Sequence, residues 1–460
     1  MSEERQEGRF GKTKHMTSKP ALPIRVPFSA TPPGETPEIS AWAQHVVWTD
    51  RMLSTLLENK VRGGKWHTLI DKVYAPLNLY TAACKVTAKK KAAGVDGQSC
   101  EEFTEHLIVE TRKLSEEIST QSYRPSAVRR VHIPKPGRPN ETRPLGIPTV
   151  RDRVVQRAIV NVIEPILDHQ FHERSYGFRH GRGAHGALRI VEQKLQDGYV
   201  YVVDADLKGY FDTIPKDRLL NLLNEHISDT RLLKLIQTFL DQNIMEELRE
   251  WTPIAGVPQG AVLSPVLSNL YLNPLDHQMS DRGFEMVRYA DDFVVLCRSE
   301  SEAVSALEMI RSWVEAAGLT LHPTKTKIVD SRTESFAFLG YSFRGDKIYP
   351  RRESLAKMKG RIVQLTARNR PDSTEAICAE LNSVLRGWFH YFRHSRWTIF
   401  TDLDAKIRSR LRRLLLKRHR RNPDRLPRQS RWPNDYFTRA GLYSLREAHI
   451  RFGQSHPGNY

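Results

Sequence analysis

Cysteine is scarce in this chain, with 4 among 460 residues. Cys84, Cys100, Cys297 and Cys378 lie far apart and form no CxxC pair, so neither a disulfide framework nor a zinc ribbon is indicated. No apolar run reaches the roughly twenty residues that span a bilayer, and the N-terminus lacks the apolar core of a signal peptide. These absences predict a cytoplasmic protein without a membrane span.

Acidic residues are outnumbered by basic ones, and the imbalance is concentrated near the C-terminus. The formal net charge is +18, and from Arg351 onward 25 Lys or Arg stand against 9 Asp or Glu. A domain this basic binds polyanions by counterion release, and nucleic acid is the commonest polyanion in a cell. A solvated basic surface or attraction to anionic lipid would give the same composition, but the charge favours nucleic acid.

Apolar periodicity divides the chain into segments. It is missing from residues 1–42, which we expect to be a flexible proline-rich leader. Helical spacing begins near Ala43 and continues to about Ala88. The segment YRPSAVRRVHIPKPGRPNETRPLGIPT, from Tyr123 to Thr149, alternates apolar and basic residues about a Pro-Gly turn, which predicts a hairpin. The stretch RDRVVQRAIVNVIEPIL then predicts a helix.

Carboxylates follow or interrupt two predicted strands. GYVYVVDADLKGYFDTI contains Asp204, Asp206 and Asp212, and FEMVRYADDFVVLC predicts a hairpin with Asp291 and Asp292 near its tip. Between them, GVPQGAVLSPVLSNLYL predicts a turn and a helix. Strand, helix and hairpin form most of a split β-α-β unit, which would bring Asp206 toward the acidic pair.

Neighbouring acids among strands call for cations, because uncompensated carboxylates repel one another and are costly to desolvate. Magnesium suits them, since it prefers oxygen ligands and is normally shared with substrate phosphates. Two ions about 4 Å apart would stabilise the attacking and leaving oxygens of an in-line phosphoryl transfer. A solvent-exposed acidic turn is the alternative for an isolated DD pair, and the second acidic strand favours the metal site.

The stretch Tyr289-Ala290-Asp291-Asp292 resembles the YADD signature of reverse transcriptases. RPLGIPTVRDRVVQ, SYGFRHGRGAH, DADLKGYFDTI, GVPQGAVLSPVLSNLYL, LHPTKTKIV and FAFLGYSF resemble, in the same order, the sequence blocks of enzymes encoded by group II introns. The resemblance implies an α+β fold, a right-hand polymerase with fingers and a ferredoxin-like palm, followed by a mainly helical thumb or maturase domain.

The resemblance also implies domain boundaries. After the leader, we expect an N-terminal extension and fingers at 43–190, a palm with catalytic carboxylates at 191–348, a basic helical thumb or maturase domain at 349–425 and a C-terminal appendage at 426–460. The paired cysteines and histidines of a nuclease domain, which many relatives carry, are missing, so second-strand cleavage is not expected.

Carried onto this sequence, the resemblance implies that Asp206 and Asp291 hold two Mg²⁺ ions, for which Mn²⁺ could substitute. Asp292 would be a third carboxylate at the same site. We interpret Asp204 and Asp212 as structural or supporting residues. Asp204 lies one residue out of step with the motif, and Asp212 lies at the end of the motif.

Further site residues follow from the same resemblance. Lys135 and Arg143 match fingers positions that grip the triphosphate, and Gln259 matches a residue near the incoming nucleotide and template. Phe211 matches the bulky position that packs under the sugar and would collide with a ribose 2′-hydroxyl, although its spacing also fits a core aromatic. Lys325 matches the lysine proposed as general acid for pyrophosphate release. The alternative is that the lysine pair simply lies on a solvent-exposed surface, as such pairs commonly do.

The C-terminal part resembles the thumb or maturase domain in LNSVLRGWFHYFRHS, whose aromatic residues we expect to pack in a core. In AKIRSRLRRLLLKRHRR, leucines between Leu411 and Leu416 form an apolar stripe surrounded by arginines. This pattern predicts an amphipathic basic helix that contacts RNA or DNA phosphates, although a helix on a membrane surface would look similar.

The implied function is RNA-directed DNA polymerase (reverse transcriptase), copying RNA, and intron RNA in particular, by two-metal nucleotidyl transfer, with an RNA-binding maturase role in splicing. The expected partners are an RNA template, a DNA primer, deoxynucleotide triphosphates, structured intron RNA and target DNA in the bacterial cytosol. Two alternatives stay open. One is a splicing cofactor with secondary polymerase activity, and the other is a host-adopted enzyme of antiviral defence or CRISPR spacer acquisition. The oligomeric state has no sequence signal.

Overall fold

Helices predicted from apolar spacing are present at Ile70–Tyr74, Pro76–Thr87 and Val150–Asp168, whereas residues 47–49 and 65–69, within the segment expected to be helical from Ala43 to Ala88, are not helical. The computed structural model of the protein describes residues 47–49, 52, 65–135, 138–247, 249–419 and 431–455. The predicted leader 1–42 lies outside these residues. The described helices are Ile70–Tyr74, Pro76–Thr87, Cys100–Glu105, Leu107–Ser119, Val150–Asp168, Ala184–Gln196, Tyr210–Thr213, Lys216–His226, Thr230–Leu240, Ser264–Asp281, Glu300–Ala316, Arg352–Leu365, Thr374–Phe392, Trp397–Arg418, Asn434–Arg439 and Leu445–Ser455. No helix in this part of the chain is long and apolar enough to cross a membrane.

Strands of the described residues form three sheets. They are β1 (Val128–Lys135), β2 (Arg138–Ile147), β3 (Tyr201–Asp206), β4 (Ile244–Glu246), β5 (Arg249–Trp251), β6 (Glu285–Tyr289), β7 (Asp292–Cys297), β8 (Lys327–Asp330), β9 (Phe336–Phe338), β10 (Tyr341–Arg344) and β11 (Lys347–Pro350). Strands β1 and β2 confirm the hairpin predicted around the Pro-Gly turn, pairing antiparallel as far as Lys135 opposite Arg138. Strand β1 also pairs in parallel with β4, whose other neighbour is β5.

The acidic strands meet in a four-stranded sheet, the palm sheet, with the order β6-β7-β3-β8 and antiparallel neighbours throughout. Along the chain, helices lie between β3 and β6 and between β7 and β8. This combination of strand order and helical connections is ferredoxin-like. Val203 and Ala205 belong to the core shared with helix Ser264–Asp281. Val202 belongs to the core shared with helix Ala184–Gln196. Because side chains alternate along a strand, the even-numbered acids of β3 lie on the same face as Val202.

The helices from Arg352 onward share an apolar core of their own. Leu411, Leu414 and Leu415 are buried in it, which confirms the predicted stripe as a packing surface. The core also contains Phe389, one of the aromatic residues predicted to pack there. All four cysteines of the chain are free thiols, as their spacing predicts.

The arginines around this stripe do not all face solvent, which restricts the predicted phosphate contacts of this helix to part of its basic side chains. Arg412 is only 9% exposed, and it donates from Nε to the carbonyl oxygen of Trp432 at 2.9 Å and from Nη2 to Asn434 Oδ1 at 2.8 Å. Its neighbour Arg413 is exposed. A charged side chain can be buried here because its donors reach fixed acceptors, so only part of the basic helix is available to nucleic acid.

Candidate active site

Two neighbouring antiparallel strands, β3 and β7, bring the predicted carboxylates together. Strand β3 ends at Asp206, which stands opposite Asp292, the first residue of β7. Asp204 lies two residues earlier on the same face of β3. Asp291 occupies the turn of two residues between β6 and β7, after Ala290. The four acids therefore meet at one end of the palm sheet, as the predicted strand and hairpin require.

Burial and mutual repulsion make the ionised forms of Asp204, Asp291 and Asp292 costly. Burial raises the pKa of Asp291, and burial together with the charges of Asp204, Asp291 and Asp206 raises the pKa of Asp292 to about 7. Burial also raises the pKa of Asp204 to about 6, against the opposing charge of Lys327. Because a nearby cation stabilises the ionised form, the cluster has the electrostatic character of a cation site.

The two lysines of HPTKTK lie beside different acids of this cluster. Lys325 Nζ lies 2.5 Å from Asp206 Oδ2. The loop that carries it is held to β3 by the His322 N–H, which donates to the carbonyl oxygen of Asp206 at 2.7 Å. Lys327 instead stands on β8, opposite Asp204. The geometry therefore distinguishes the two lysines, which the sequence pattern alone does not.

The donor set fits a divalent metal, although its present arrangement is not a closed coordination shell. Within the described residues, no three His, Cys, Asp or Glu side chains are arranged to hold a metal ion as they stand, and Asp206 is paired with Lys325. Asp206, Asp291 and Asp292 nevertheless offer hard oxygen ligands crowded at one end of the palm sheet. Ions that share carboxylates with substrate phosphates are the ones this chemistry suits.

The turn that carries Asp291 is strained and braced from outside. Ala290, which together with Asp291 forms what we call the acidic turn, has φ of 60°, a left-handed conformation that residues with a side chain adopt rarely. The buried Arg288 donates from Nη1 to the Ala290 carbonyl oxygen at 2.8 Å and to Asn269 Oδ1 at 3.0 Å. Its Nε donates to Asp276 Oδ1 at 2.7 Å, so the buried charge is paired. These bonds fix the backbone that presents Asp291.

Sequence reasoning did not identify Arg288, Asp276 or Asn269. One signal was present, because the apolar strand pattern EMVRY places an arginine where alternation from Met286 puts an inward side chain. A buried arginine requires a carboxylate partner. That requirement does not tell which acid supplies it, because Asp276 lies on a different element.

The segment SYGF supports the acidic turn from a second side. The Tyr176 N–H donates to the Arg288 carbonyl oxygen at 2.9 Å, and the Gly177 carbonyl oxygen accepts from Asn269 Nδ2 at 2.7 Å. A Cβ on Gly177 would lie 2.2 Å from the Ala290 nitrogen. Any larger residue at this position would displace the acidic turn, so the close approach requires glycine.

Phe211 and Gln259 line one groove of about 930 Å³, which we call the basic groove. Its other lining residues include the basic side chains Lys85, Lys89, Lys91, Arg153, Arg157, Arg179 and His180. The Val257 N–H donates to the Phe211 carbonyl oxygen at 2.7 Å, which holds the VPQG turn against the short helix that carries Phe211. Gly260 has φ of 109°, and a Cβ there would lie 2.5 Å from the Gly146 oxygen. Glycine is therefore needed where this turn meets β2.

The predicted fingers residues lie on the β1–β2 hairpin. Lys135 is described by its backbone alone, and Arg143 is exposed on β2. The hairpin is joined to the basic groove at its base, where the Gly146 N–H donates to the Gln259 carbonyl oxygen at 2.7 Å. The structure thus connects the hairpin to the groove, and no described contact joins Arg143 to the carboxylates.

A ferredoxin-like palm with acids at its hairpin tip, preceded by a hairpin and followed by a basic helical domain, defines a nucleic-acid polymerase of the right-hand type. Residues 133–343 match the reverse transcriptase (RNA-dependent DNA polymerase) family, and residues 355–432 match the group II intron, maturase-specific domain. The chain belongs to the reverse transcriptases that carry a group II intron maturase domain. It is an RNA-directed DNA polymerase by family, as the sequence predicts.

The chain is also similar to individual known proteins. The chain is 32% identical over 339 residues to protein YkfC of Escherichia coli (strain K12), covering 64% of this chain and 87% of that protein. It is 33% identical over 217 residues to the group II intron-encoded protein LtrA of Lactococcus lactis subsp. cremoris, covering 45% of this chain and only 35% of LtrA. A chain in the partial Cas6-RT-Cas1–Cas2 complex shows 24% identity and a TM-score of 0.36, covering 54% of this chain and 41% of that chain.

Proposed function

We propose that this reverse transcriptase extends a DNA primer with deoxynucleotide triphosphates on an RNA template, and that intron RNA is the template it copies. The observation that carries the proposal is the meeting of Asp206, Asp291 and Asp292 at one end of the palm sheet. Acids that are buried and crowded destabilise a protein that holds no cation, so a chain that only bound RNA would have no use for them. This argument favours polymerase activity over the splicing-cofactor alternative.

The proposed reaction is nucleotidyl transfer. The primer 3′-hydroxyl loses its proton to water as its oxygen forms a bond to the α-phosphorus of the incoming nucleotide, the bond from that phosphorus to the bridging oxygen breaks, and pyrophosphate leaves. Asp206 and Asp291 would hold two divalent ions, with Asp292 as a third carboxylate, and Mg²⁺ is the proposed ion with Mn²⁺ as a substitute. Such ions, when bound, stabilise charge on the attacking and leaving oxygens.

The side chains around the carboxylates have proposed roles of their own. Lys325 donates a proton to the leaving pyrophosphate, and its contact with Asp206 supports this assignment over Lys327. Lys135 and Arg143 grip the triphosphate from the fingers hairpin.

Phe211 packs under the sugar, which disfavours ribonucleotides, and Gln259 contacts the incoming nucleotide. Their shared position along the basic groove supports a common nucleotide site.

The C-terminal helices are proposed to bind the primer–template duplex, structured intron RNA and target DNA. The excess of basic residues after Arg351 and the separate apolar core of these helices support a thumb or maturase domain at 349–425. The other proposed divisions are a leader at 1–42, an N-terminal extension and fingers at 43–190, the palm at 191–348 and a C-terminal appendage at 426–460.

The test is primer extension on an RNA template with deoxynucleotides and Mg²⁺, comparing wild type with Asp291→Asn. We expect long cDNA from wild type and a loss of at least about a thousandfold in the variant, the scale of several kcal/mol of lost transition-state stabilisation. Asp330→Asn is the matched control, because this acid lies on the same sheet at the other end of β8 and pairs with Arg332. Tight RNA binding by wild type without any cDNA would replace the polymerase with the splicing-cofactor function.

A further inference from the structure

Phe178 combines an exposed ring with an unfavourable backbone. Its side chain is 50% exposed, and its φ of 59° lies in the left-handed region. A bulky residue in that region is an outlier, and a ring so exposed adds little to the core. Neither local conformation nor packing therefore accounts for a phenylalanine at this position, and such outliers persist where the surrounding structure enforces them.

The residues on both sides of Phe178 are fixed. Gly177 packs against the acidic turn, with space for no side chain. Arg179 is 7% exposed and donates from Nε to Asp168 Oδ1 at 2.5 Å and from Nη1 to the Ser175 carbonyl oxygen at 2.9 Å. Because both neighbours are held, the backbone of Phe178 is fixed relative to the acidic turn, and the half-exposed ring projects from a fixed position.

The ring faces the basic groove. Phe178 lines this groove together with Phe211 and Gln259, and the one acid among the lining residues is Glu164. A positively charged channel with an aromatic side chain in its wall is how proteins bind single-stranded nucleic acid, with bases stacked on rings and phosphates near cations. The interior base pairs of a duplex are already stacked on both faces and gain nothing from such a ring.

We propose that Phe178 stacks on an unpaired base of the template strand as that strand passes through the basic groove. The inference rests on the proposed function, because Phe211 and Gln259 of the same groove are the proposed nucleotide-site residues. A backbone held rigidly before binding loses little conformational freedom when a base stacks on the ring that it carries, which favours affinity. Phe178 is on this view a positioning residue, which sets the template base relative to the acidic turn.

The test measures binding without nucleotides or metal. Two labelled primer–templates are compared, one blunt and one with a single-stranded 5′ template overhang, against wild type, Phe178→Gly and Phe178→Trp. Glycine adopts the left-handed backbone without strain, so this variant removes the ring while keeping the fold. We expect Phe178→Gly to lose about tenfold in affinity for the overhang substrate and to bind the blunt duplex with the affinity of wild type. Phe178→Trp should retain both affinities.

Two further measurements separate stacking from structural effects. Ile108→Ala removes another exposed apolar side chain, 64% exposed in wild type, and should change neither affinity. A 2-aminopurine at the first unpaired template position should be quenched by wild type and less so by Phe178→Gly. Normal overhang binding by Phe178→Gly, or an equal loss on the blunt duplex, would overturn the inference. Primer extension by wild type is scored separately, so failed polymerisation with ring-dependent overhang binding would refute the proposed function alone.

Discussion

The guanidinium of Arg288 donates from Nη1 to the carbonyl oxygen of Ala290 at 2.8 Å, so a strand residue holds the turn that follows it. Arg288 is fully buried, and its charge is paired with Asp276, itself 3% exposed, on helix Ser264–Asp281. The position of Asp291 therefore depends on an ion pair between this helix and the palm sheet. The pair links the stability of the palm to the geometry of its acids.

Arg288→Met should destabilise the protein and abolish polymerisation. Removing one partner of a buried pair leaves Asp276 unpaired, which costs about 3–5 kcal/mol. Chemical denaturation measures the loss in unfolding free energy, and primer extension measures the activity. The double variant Arg288→Met with Asp276→Leu should regain much of the stability without the activity, because the Ala290 carbonyl oxygen stays unbraced. Wild-type activity in the double variant would show that the brace is dispensable.

The palm could be predicted from the sequence because its signals are local. Alternation in GYVYVV and FEMVRYADDFVVLC defines the strands, and the split β-α-β order then places Asp206 beside Asp292 without further information. The braces could not be predicted in the same way. The pairing of Arg288 with Asp276, and the approach of Gly177 to Ala290, join segments whose relative positions only tertiary packing decides.

In the C-terminal helices, too, the sequence pattern predicts the buried face but not the contacts between distant segments. The leucine pattern of helix Trp397–Arg418 predicts which face is buried. It does not predict that Arg412 is buried as well, because the acceptors for this side chain belong to residues about twenty positions later. The number of basic side chains in the sequence of this helix is therefore larger than the number that can bind phosphate.

Lys325→Ala should slow nucleotide incorporation, whereas Lys327→Ala should not. Loss of a general acid typically costs about 10²–10⁴-fold, and Lys325, not Lys327, contacts Asp206. Single-turnover incorporation at saturating nucleotide measures the chemical step. The two lysines lie two residues apart in one stretch, so Lys327→Ala is a matched control for charge. Equal effects of the two substitutions would assign Lys325 a general electrostatic role instead.

Substitution of Arg413 should affect RNA binding, whereas substitution of Arg412 should affect the stability of the fold. Arg413→Ala removes an exposed charge, so it should weaken RNA binding with little change in the free energy of unfolding. If Arg413 contacts a phosphate, the salt dependence of the binding constant should fall by about one unit of slope. Arg412→Ala should instead lower the stability by about 1–3 kcal/mol, because the buried Trp432 carbonyl oxygen loses its donor. Thermal unfolding and salt-dependent RNA titrations test both, and the reverse pattern would contradict the structure.

Asp229 joins two distant helices through one carboxylate. Its Oδ2 accepts from the N–H groups of Leu69 at 2.6 Å and Ile70 at 2.9 Å, and its Oδ1 accepts from those of Arg231 and Leu232, both at 3.1 Å. Burial opposes ionisation, but these four donors outweigh it and lower the pKa of Asp229. The ionised carboxylate therefore caps helix Thr230–Leu240 and anchors the start of helix Ile70–Tyr74.

Asp229→Asn should lower the free energy of unfolding by about 1–2 kcal/mol at neutral pH, the cost of a lost helix cap. Because the folded pKa is lowered, the stabilisation is present above the unfolded value of about 3.9 and disappears as the pH falls through the folded pKa. The difference between wild type and variant should therefore shrink in acid. Asp197→Asn, at an exposed acid, should change the stability by less than about 0.5 kcal/mol at every pH. Denaturant titrations across this pH range test the linkage, and a difference between wild type and Asp229→Asn that stays constant into acid would show that the cap does not depend on ionisation.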